Sequence, residues 1–154
     1  MIALHAVGLV RSSRRTVSDE AWGGVRSTIE LDATFGEEAL EGLEAFSHAE
    51  VLFYFDRVPD AAVVRGARHP RGNAAWPKVG IFAQRAKDRP NRIGSTIVAI
   101  AGRQGRVLEV VGLDAVDGTP VVDIKPVMKE FLPRGEVRQP EWASELMRDY
   151  WTGR

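Results

Sequence analysis

The chain has 154 residues, 44% of them hydrophobic and none of them cysteine. This length and composition suit about one domain with a buried core, which we place over residues 1–154, and they exclude disulfide scaffolds, thiolate nucleophiles and cysteine-ligated zinc. The formal net charge of zero hides a segregation, since eleven acids lie between positions 19 and 60 and ten arginines or lysines lie between 65 and 106. The cationic part predicts a local surface that attracts anions.

The first residues predict strands and no export signal. Residues 1–10 lack a basic segment and form too short an apolar run for a signal peptide, and no run of about 18 apolar residues follows. We therefore expect a cytoplasmic protein that does not enter a membrane. Apolar residues in partial alternation predict a first strand over 2–10 and a second over 25–35.

The next two segments differ in their hydrophobic period. Residues 36–46 place Leu40, Leu43 and Phe46 at helical spacing among glutamates, which predicts a short amphipathic helix. Residues 51–55 form a continuous apolar run that is short, aromatic and β-branched, which predicts a buried strand.

A polar loop and a series of strands complete the body. Residues 63–78 contain glycine and proline and are too long for a simple hairpin turn, so we predict a loop of the length that often carries function. Four further strand candidates are separated by turn signals, and they cover residues 79–84, 95–102, 106–116 and 120–128. Such spacing is typical of antiparallel sheets and barrels, so the fold is predicted to be mainly β.

The C-terminal residues predict a helix over about 140–152. Pro140 suits a first helical turn, and Trp142, Leu146 and Tyr150 follow on one face in steps of four. A stripe of this kind indicates packing against the body or a contact between two copies of the chain.

Familiar catalytic motifs are absent from the sequence. It contains no GxSxG, P-loop, HExxH or strand-following GxGxxG pattern, which removes the usual sequence support for acyl transfer, P-loop nucleotide hydrolysis and Rossmann dinucleotide binding. The three histidines, His5, His48 and His69, lack metal-ligand spacing, so no metal site is predicted.

The densest cationic stretch, "AQRAKDRPNRIGST", lies between two apolar segments. Pro90 restricts the backbone before it, and the asparagine and glycine that follow tolerate tight turns. We expect a rigid loop that presents Arg85, Arg89 and Arg92. The alternative is a charged hairpin in which the single aspartate pairs with a neighbour.

A second polar stretch, "GLDAVDGTPVVDIKP", places carboxylates among strand residues. Asp114, Asp117 and Asp123 are followed by Lys125. Because an aspartate followed by glycine is a strong turn signal, a plain turn at Asp117 is an alternative to a role in chemistry.

Three segments together, "GLEAFSHAEVLFYF", "VGIFAQRAKDRPNRIGST" and "GLDAVDGTPVVDIKP", resemble the TsaA-like (TrmO-type) family of S-adenosylmethionine-dependent methyltransferases. The resemblance runs from about Ala6 to Val127. It implies a small closed β-barrel unlike the Rossmann methyltransferases, a homodimer, and S-adenosylmethionine held near the dimer interface. It also implies a tRNA substrate, methylated at N6 of a threonylcarbamoyl-modified adenosine beside the anticodon.

The resemblance further implies which positions contact the cofactor. They are His48, Ala49, Arg85, Ser95, Asp114, Ala115, Val116 and Asp117. An arginine suits the methionine carboxylate, a carboxylate accepts from ribose or amino groups, and the backbone of a turn can read the adenine edge.

Roles in methyl transfer follow from the same reading. Asp117 is the candidate general base, because a carbamoylated adenine nitrogen must lose its proton for attack, and Lys125 is expected to hold that carboxylate or the substrate. The residues expected to bind an anionic acceptor are Arg71, Arg89, Asn91 and Arg92, with Arg65 and Arg68 beside them.

The acceptor stays open at this stage. The family's tRNA branch carries an N-terminal "PRQ" element, which the corresponding "RSSRRTVSDEAWGGVRST" does not show. A methyltransferase for a small anionic metabolite is therefore an alternative. A binding module for RNA or S-adenosylmethionine that transfers nothing is another.

Overall fold

The computed structural model describes residues 1–153, and its central feature is a closed antiparallel barrel of six strands. The eight strands are β1 (Gly8–Ser12), β2 (Arg26–Leu31), β3 (His48–Tyr54), β4 (Ala67–Arg68), β5 (Val79–Gly80), β6 (Ile93–Gln104), β7 (Val107–Val111) and β8 (Pro120–Pro126). The barrel has the strand order β1-β2-β7-β6-β3-β8. Strands β4 and β5 pair only with each other. The mainly β, non-Rossmann prediction is confirmed.

The barrel interior is filled by one side of each strand. Strand β3 alternates between buried and more exposed positions, so Ala49, Val51 and Phe53 enter the core while their neighbours face outward. Opposite Phe53, Gly94 is required for packing, because a Cβ there would lie 2.6 Å from the phenylalanine ring. This contact explains the glycine that precedes Ser95.

The longest strand, β6, connects the two halves of the barrel. It pairs with β3 along Ile93–Ala99 and with β7 along its second part. A register shift between Ile100 and Gly102 marks a bulge, which bends the strand so that it can serve both partners. Strand β6 therefore passes from the wall that carries β3 and β8 to the wall that carries β7 and β2.

Five strand predictions need correction. The strands predicted over 25–35 and 106–116 are shorter, since they end at Leu31 and Val111. Residues 79–84 supply only the two-residue β5, because the chain then turns through a 3₁₀ helix at Ile81–Ala83. The buried amide of Gln84 holds this turn by donating to two carbonyl oxygens of β4 and β5. The first strand begins at Gly8, since residues 1–6 are exposed, and the strand predicted over 51–55 extends back to His48.

Both helix predictions need correction. Residues 36–46 form two short 3₁₀ helices, Glu37–Leu40 and Leu43–Ala45, since Gly42 between them has a φ of 87° and interrupts an α-helix. The C-terminal helix α1 spans only Glu141–Leu146. The following turns pair their backbone with residues 21–23, which draws the chain out of helical geometry.

The remaining short 3₁₀ helices lie at Asp60–Ala62, Pro70–Gly72, Pro90–Arg92 and Lys129–Phe131. Two of them occupy the polar loop 63–78 and the cationic stretch, which joins β6 directly. Among residues 1–153, no helix has the length and apolar character needed to cross a membrane.

Candidate functional site

The candidate site is built around the first half of β6, where consecutive residues face opposite sides of the barrel wall. Ser95 points outward and Thr96 is buried inward. Each of them binds a residue from another segment that the sequence analysis selected. Strand β6 therefore brings together the "FAQR" turn and the segment after β7.

The outward group centres on Ser95. Arg85 donates from Nη2 to the carbonyl oxygen of Ser95 at 2.5 Å, and the Ser95 hydroxyl donates to Oε1 of Glu50 at 2.8 Å. Glu50 lies on β3 directly opposite Lys125 of β8. This surface thus combines a hydroxyl, a carboxylate and an ammonium group on three adjacent strands with the guanidinium of Arg85 from the turn before β6.

The inward group centres on Asp114. The Thr96 hydroxyl donates to one carboxylate oxygen of Asp114, and the Tyr150 hydroxyl donates to the other. Burial, and then the charge of Asp114 and the hydrogen bond to it, raise the pKa of Tyr150 well above its usual range. The phenol therefore keeps its proton and acts as a donor to the carboxylate.

Residues 115–117 continue from Asp114 into a tightly held turn. Ala115 and Val116 are buried, and the predicted turn at Asp117 and Gly118 is present, with a φ of 81° at the glycine. The Asp117 carboxylate accepts from the Ser12 amide at 3.0 Å, and its own amide donates to the Arg14 carbonyl at 2.7 Å. Asp117 is thereby joined to the N-terminal strand, whereas Asp114 is joined to β6.

Asp117 also lines a cleft of about 580 Å³. The cleft includes Arg11, Arg15 and Arg26, which lie outside the cationic stretch that the sequence analysis singled out. Arg57 approaches the same turn, donating to the carbonyl oxygen of Asp117 at 3.0 Å. Several guanidinium groups therefore surround the candidate base.

His48 and Ala49 lie elsewhere on β3. His48 is opposite Ala99, whereas Ser95 is opposite Leu52, so about four residues or roughly 13 Å of ladder separate the two sites. The imidazole of His48 shares a 2.6 Å hydrogen bond with the Ser47 hydroxyl. Ala49 is fully buried, which turns its side chain away from any ligand on the surface.

Lys125 does not hold the Asp117 carboxylate. It forms an ion pair of 3.0 Å with Asp123, and the hydrogen bond to that partner and its charge raise the pKa of the Lys125 amine. The cause is distance along the strand, because Lys125 lies near the end of β8 that is remote from the turn. Its exposed ammonium instead belongs to the outward group around Ser95.

The cations expected to bind the acceptor are partly engaged within the protein. Arg89 donates to the Gln84 carbonyl at 2.5 Å. Arg92 donates to the Val58 carbonyl at 2.6 Å and forms an ion pair of 2.9 Å with Asp60. These internal contacts anchor the loop, and the sequence did not predict them.

Asn91, Arg92 and Arg71 share left-handed backbone geometry, with φ values of 64°, 49° and 53°. Arg71 donates to the Leu146 carbonyl at 2.9 Å and lies in a cleft of about 510 Å³ below the C-terminal helix.

The alternative prediction for the cationic stretch, an aspartate paired with a neighbouring cation, is also observed. Asp88 forms ion pairs with Arg68 and Lys87.

Thr96, Glu50 and Tyr150 were missed by the sequence analysis. Thr96 follows Ser95 directly, and strand alternation would have placed it on the opposite face. Tyr150 was assigned to a packing stripe, and nothing in its spacing indicated a partner at position 114. Among residues 1–153, no cluster of three or more acidic or histidine side chains could hold a metal ion.

A family model and a solved structure both match most of this chain. A family model described as the tRNA-methyltransferase O N-terminal domain matches residues 18–131. The crystal structure of TrmO from Pseudomonas aeruginosa superposes with a TM-score of 0.74 at 31% identity, covering 92% of this chain and 62% of that one.

Relatives with assigned names fall into two groups. A protein of Methanothermobacter thermautotrophicus, named a probable S-adenosyl-L-methionine-binding protein, is 39% identical over 84% of this chain and 93% of its own length. The tRNA (adenine(37)-N6)-methyltransferase of Escherichia coli is 42% identical over 64% of this chain and 42% of its own length. The chain spans only 34% of a similar protein from Archaeoglobus fulgidus, so several relatives are much longer.

Proposed function

This chain belongs to the family of the tRNA-methyltransferase O N-terminal domain, and from that premise we propose that it is an S-adenosylmethionine-dependent methyltransferase acting on tRNA. The acceptor is N6 of a threonylcarbamoyl-modified adenosine beside the anticodon. The reaction class is supported by the E. coli relative, whose name specifies N6 of adenine 37 in tRNA. The cofactor is supported by the archaeal relatives named as binding it.

One structural observation supports the cofactor assignment most directly. The Arg85 guanidinium and the Asp114 carboxylate are held on consecutive residues of β6, through Ser95 and Thr96. S-adenosylmethionine presents a carboxylate at one end and a ribose with an amino-bearing base at the other. An arginine can bind the first of these ends and an aspartate the second, although the two are anchored on opposite faces of β6.

The residues present have unused hydrogen-bonding capacity for such a ligand. Among the contacts of residues 1–153, Arg85 uses one of its five N–H donors, on Ser95. Each oxygen of Asp114 accepts one hydrogen bond and retains a second lone pair. Both groups can therefore bind a ligand without losing the contacts that hold them.

S-adenosylmethionine supplies an electrophilic methyl group when bound. The protein must hold the acceptor nitrogen at about 3 Å from that methyl group in a site protected from water. Asp117 accepts the proton that leaves this nitrogen, since the Ser12 amide occupies only its Oδ1 among the described contacts. The hydrogen bond from the Ser12 amide fixes the direction in which the second oxygen of Asp117 points.

Arg71, Arg89, Asn91 and Arg92 bind the acceptor beside this site, and Lys125 contacts it from β8. Internal contacts use one nitrogen of Arg89 and of Arg92, so their guanidinium groups keep further donors for RNA phosphates. The internal bonds also reduce the side-chain entropy that binding would cost.

A homodimer in the cytoplasm is part of the proposal. His48 and Asp117 lie apart from Ser95 within one chain, and a site near an interface would let two copies contribute residues to one cofactor. Trp151, which is 41% exposed beside the C-terminal helix, offers apolar surface for the contact.

Arg89 and Arg92 both form contacts within the protein, which leaves fewer free cations for an extended phosphate backbone. This observation favours a second candidate function, methylation of a small anionic metabolite. A binding module for RNA or S-adenosylmethionine without methyl transfer is the third reading. All three predict binding of at least one of these ligands but differ in turnover.

Methyl transfer from isotopically labelled S-adenosylmethionine tests the proposal. The acceptors are tRNA that carries the threonylcarbamoyl modification, matched tRNA that lacks it, and a pool of small anionic metabolites. Label in the modified tRNA alone supports the proposal, and label in the metabolite pool supports the second candidate. Saturable cofactor binding with no label in any acceptor would indicate the binding module.

A further inference from the structure

The C-terminal segment, defined as residues 141–153, is held against residues 21–23 and reaches the inward group through Tyr150. The backbone amides of Ala21, Trp22 and Gly23 donate in turn to the carbonyls of residues 149, 150 and 151, at 3.1, 2.9 and 2.8 Å. A Cβ at Gly23 would lie 2.7 Å from the Trp151 carbonyl, so glycine permits this close approach. The segment is thus bound along its backbone.

Side chains of the polar loop 63–78 also bind this segment. Arg71 donates to the Leu146 carbonyl at 2.9 Å, and the indole Nε1 of Trp76 donates to Oε2 of Glu145 at 2.8 Å. Two separate parts of the chain therefore fix α1 and the turns after it. The result is a fixed position for the residue that follows, Tyr150.

Tyr150 is the one residue of this segment whose side chain bonds to Asp114 among the described contacts. Its hydroxyl donates to the carboxylate oxygen that Thr96 does not use. The ring packs edge to face against Trp151, with a centroid distance of 4.9 Å and an interplanar angle of 89°. Both the position and the orientation of the phenol are therefore determined.

We infer that Tyr150 is a positioning residue for cofactor binding, which acts by fixing the Asp114 carboxylate. The inference rests on the proposed function. With one donor on each oxygen, the carboxylate plane cannot rotate without losing a charge-assisted hydrogen bond. The remaining lone pairs then point in fixed directions, which reduces the ordering cost of binding a ligand.

A double-mutant cycle distinguishes this role from simple packing of the C-terminal segment. Cofactor dissociation constants are measured by titration calorimetry for the wild type, Tyr150→Phe, Asp114→Asn and the double variant. The conservative Tyr150→Phe change retains the ring and removes the donor. We expect it to weaken binding about tenfold in the wild type and clearly less when position 114 is asparagine, because an amide oxygen still accepts the bond but carries no charge to strengthen it.

Trp76→Phe is the matched control, because it removes a different hydrogen bond to the same segment and leaves Asp114 untouched. We expect it to lower the melting temperature and to leave the cofactor dissociation constant unchanged. Equal weakening by Trp76→Phe and Tyr150→Phe, or an effect of Tyr150→Phe that persists undiminished in the Asp114→Asn background, would overturn the inference. A folded wild type that binds no cofactor would instead overturn the proposed function and with it the role of Tyr150.

Discussion

The Asp117 carboxylate accepts a hydrogen bond from the backbone amide of Ser12 at 3.0 Å, which joins the turn before β8 to the last residue of β1. An asparagine can accept the same bond but cannot take a proton. We therefore expect Asp117→Asn to keep the fold and bind S-adenosylmethionine within a few-fold of the wild type, while methyl transfer falls about 10²- to 10⁴-fold. Single-turnover transfer rates and calorimetric binding measure the two effects.

The exposed Glu136 gives a control for that experiment, because Glu136→Gln also replaces a carboxylate by an amide but lies outside the segments of the candidate site. It should leave both binding and transfer unchanged. Full transfer by Asp117→Asn with normal cofactor binding would remove Asp117 as the base and leave it as a structural turn residue.

Arg85 offers a test of cofactor binding alone. Loss of its guanidinium removes charge-assisted hydrogen bonds worth about 1.5–3 kcal/mol, so Arg85→Ala should weaken S-adenosylmethionine binding about 10- to 100-fold. The matched control is Arg138→Ala, which removes an exposed arginine from the chain before α1. Titration calorimetry that gave the same dissociation constant for both variants would rule out Arg85 as the carboxylate partner.

The fold followed from the sequence where hydrophobic period and turn chemistry agreed. The strands that became β6 and β8 were placed near their observed positions because apolar residues are bounded by turn signals, whereas the strand predicted over 106–116 ends at Val111. The segment 36–46 has helical spacing, but Gly42 adopts a left-handed conformation and divides it. Likewise, α1 ends at Leu146 because pairing with residues 21–23 competes with helix formation, and such long-range pairing has no local signal.

The site was predictable in its residues and only partly in its arrangement. The sequence indicated that Arg85 and Asp114 lie in polar segments that resemble family motifs. It did not indicate that β6 links the two residues through Ser95 and Thr96. Nor did it indicate that Lys125 pairs with a residue on its own strand. Side-chain partners depend on register across strands, which a single sequence does not specify.

Arg71 tests whether an RNA backbone is bound. If it contacts one phosphate, the logarithm of tRNA affinity should fall with the logarithm of salt concentration, and Arg71→Ala should make that slope less steep by about one. Fluorescence anisotropy over a salt series measures both slopes, and circular dichroism checks the fold, since Arg71 also donates to the Leu146 carbonyl. Affinity that does not change with salt in the wild type would favour a small-molecule acceptor.

Because the phenol of Tyr150 is buried, we expect the free energy of unfolding to decrease in alkaline solution. The pKa of Tyr150 is raised in the folded protein by burial and then by Asp114, whereas an unfolded tyrosine releases its proton near pH 10. Above about pH 10 the unfolded state therefore binds fewer protons than the folded state. The free energy of unfolding should then fall with rising pH, by up to about 1.4 kcal/mol per pH unit from this group.

Urea denaturation of the wild type and of Tyr150→Phe measures this contribution. The pH series runs from about 8 to about 11, on both sides of the pKa of an unfolded tyrosine. Phenylalanine has no proton to lose, so the variant should be less stable than the wild type at the lower pH and the two curves should converge above about pH 10. Because lysines titrate in the same range in both proteins, only the difference between the curves reports on Tyr150. Curves that stay parallel across the whole range would mean that the phenol is neither buried nor bonded to Asp114 in solution.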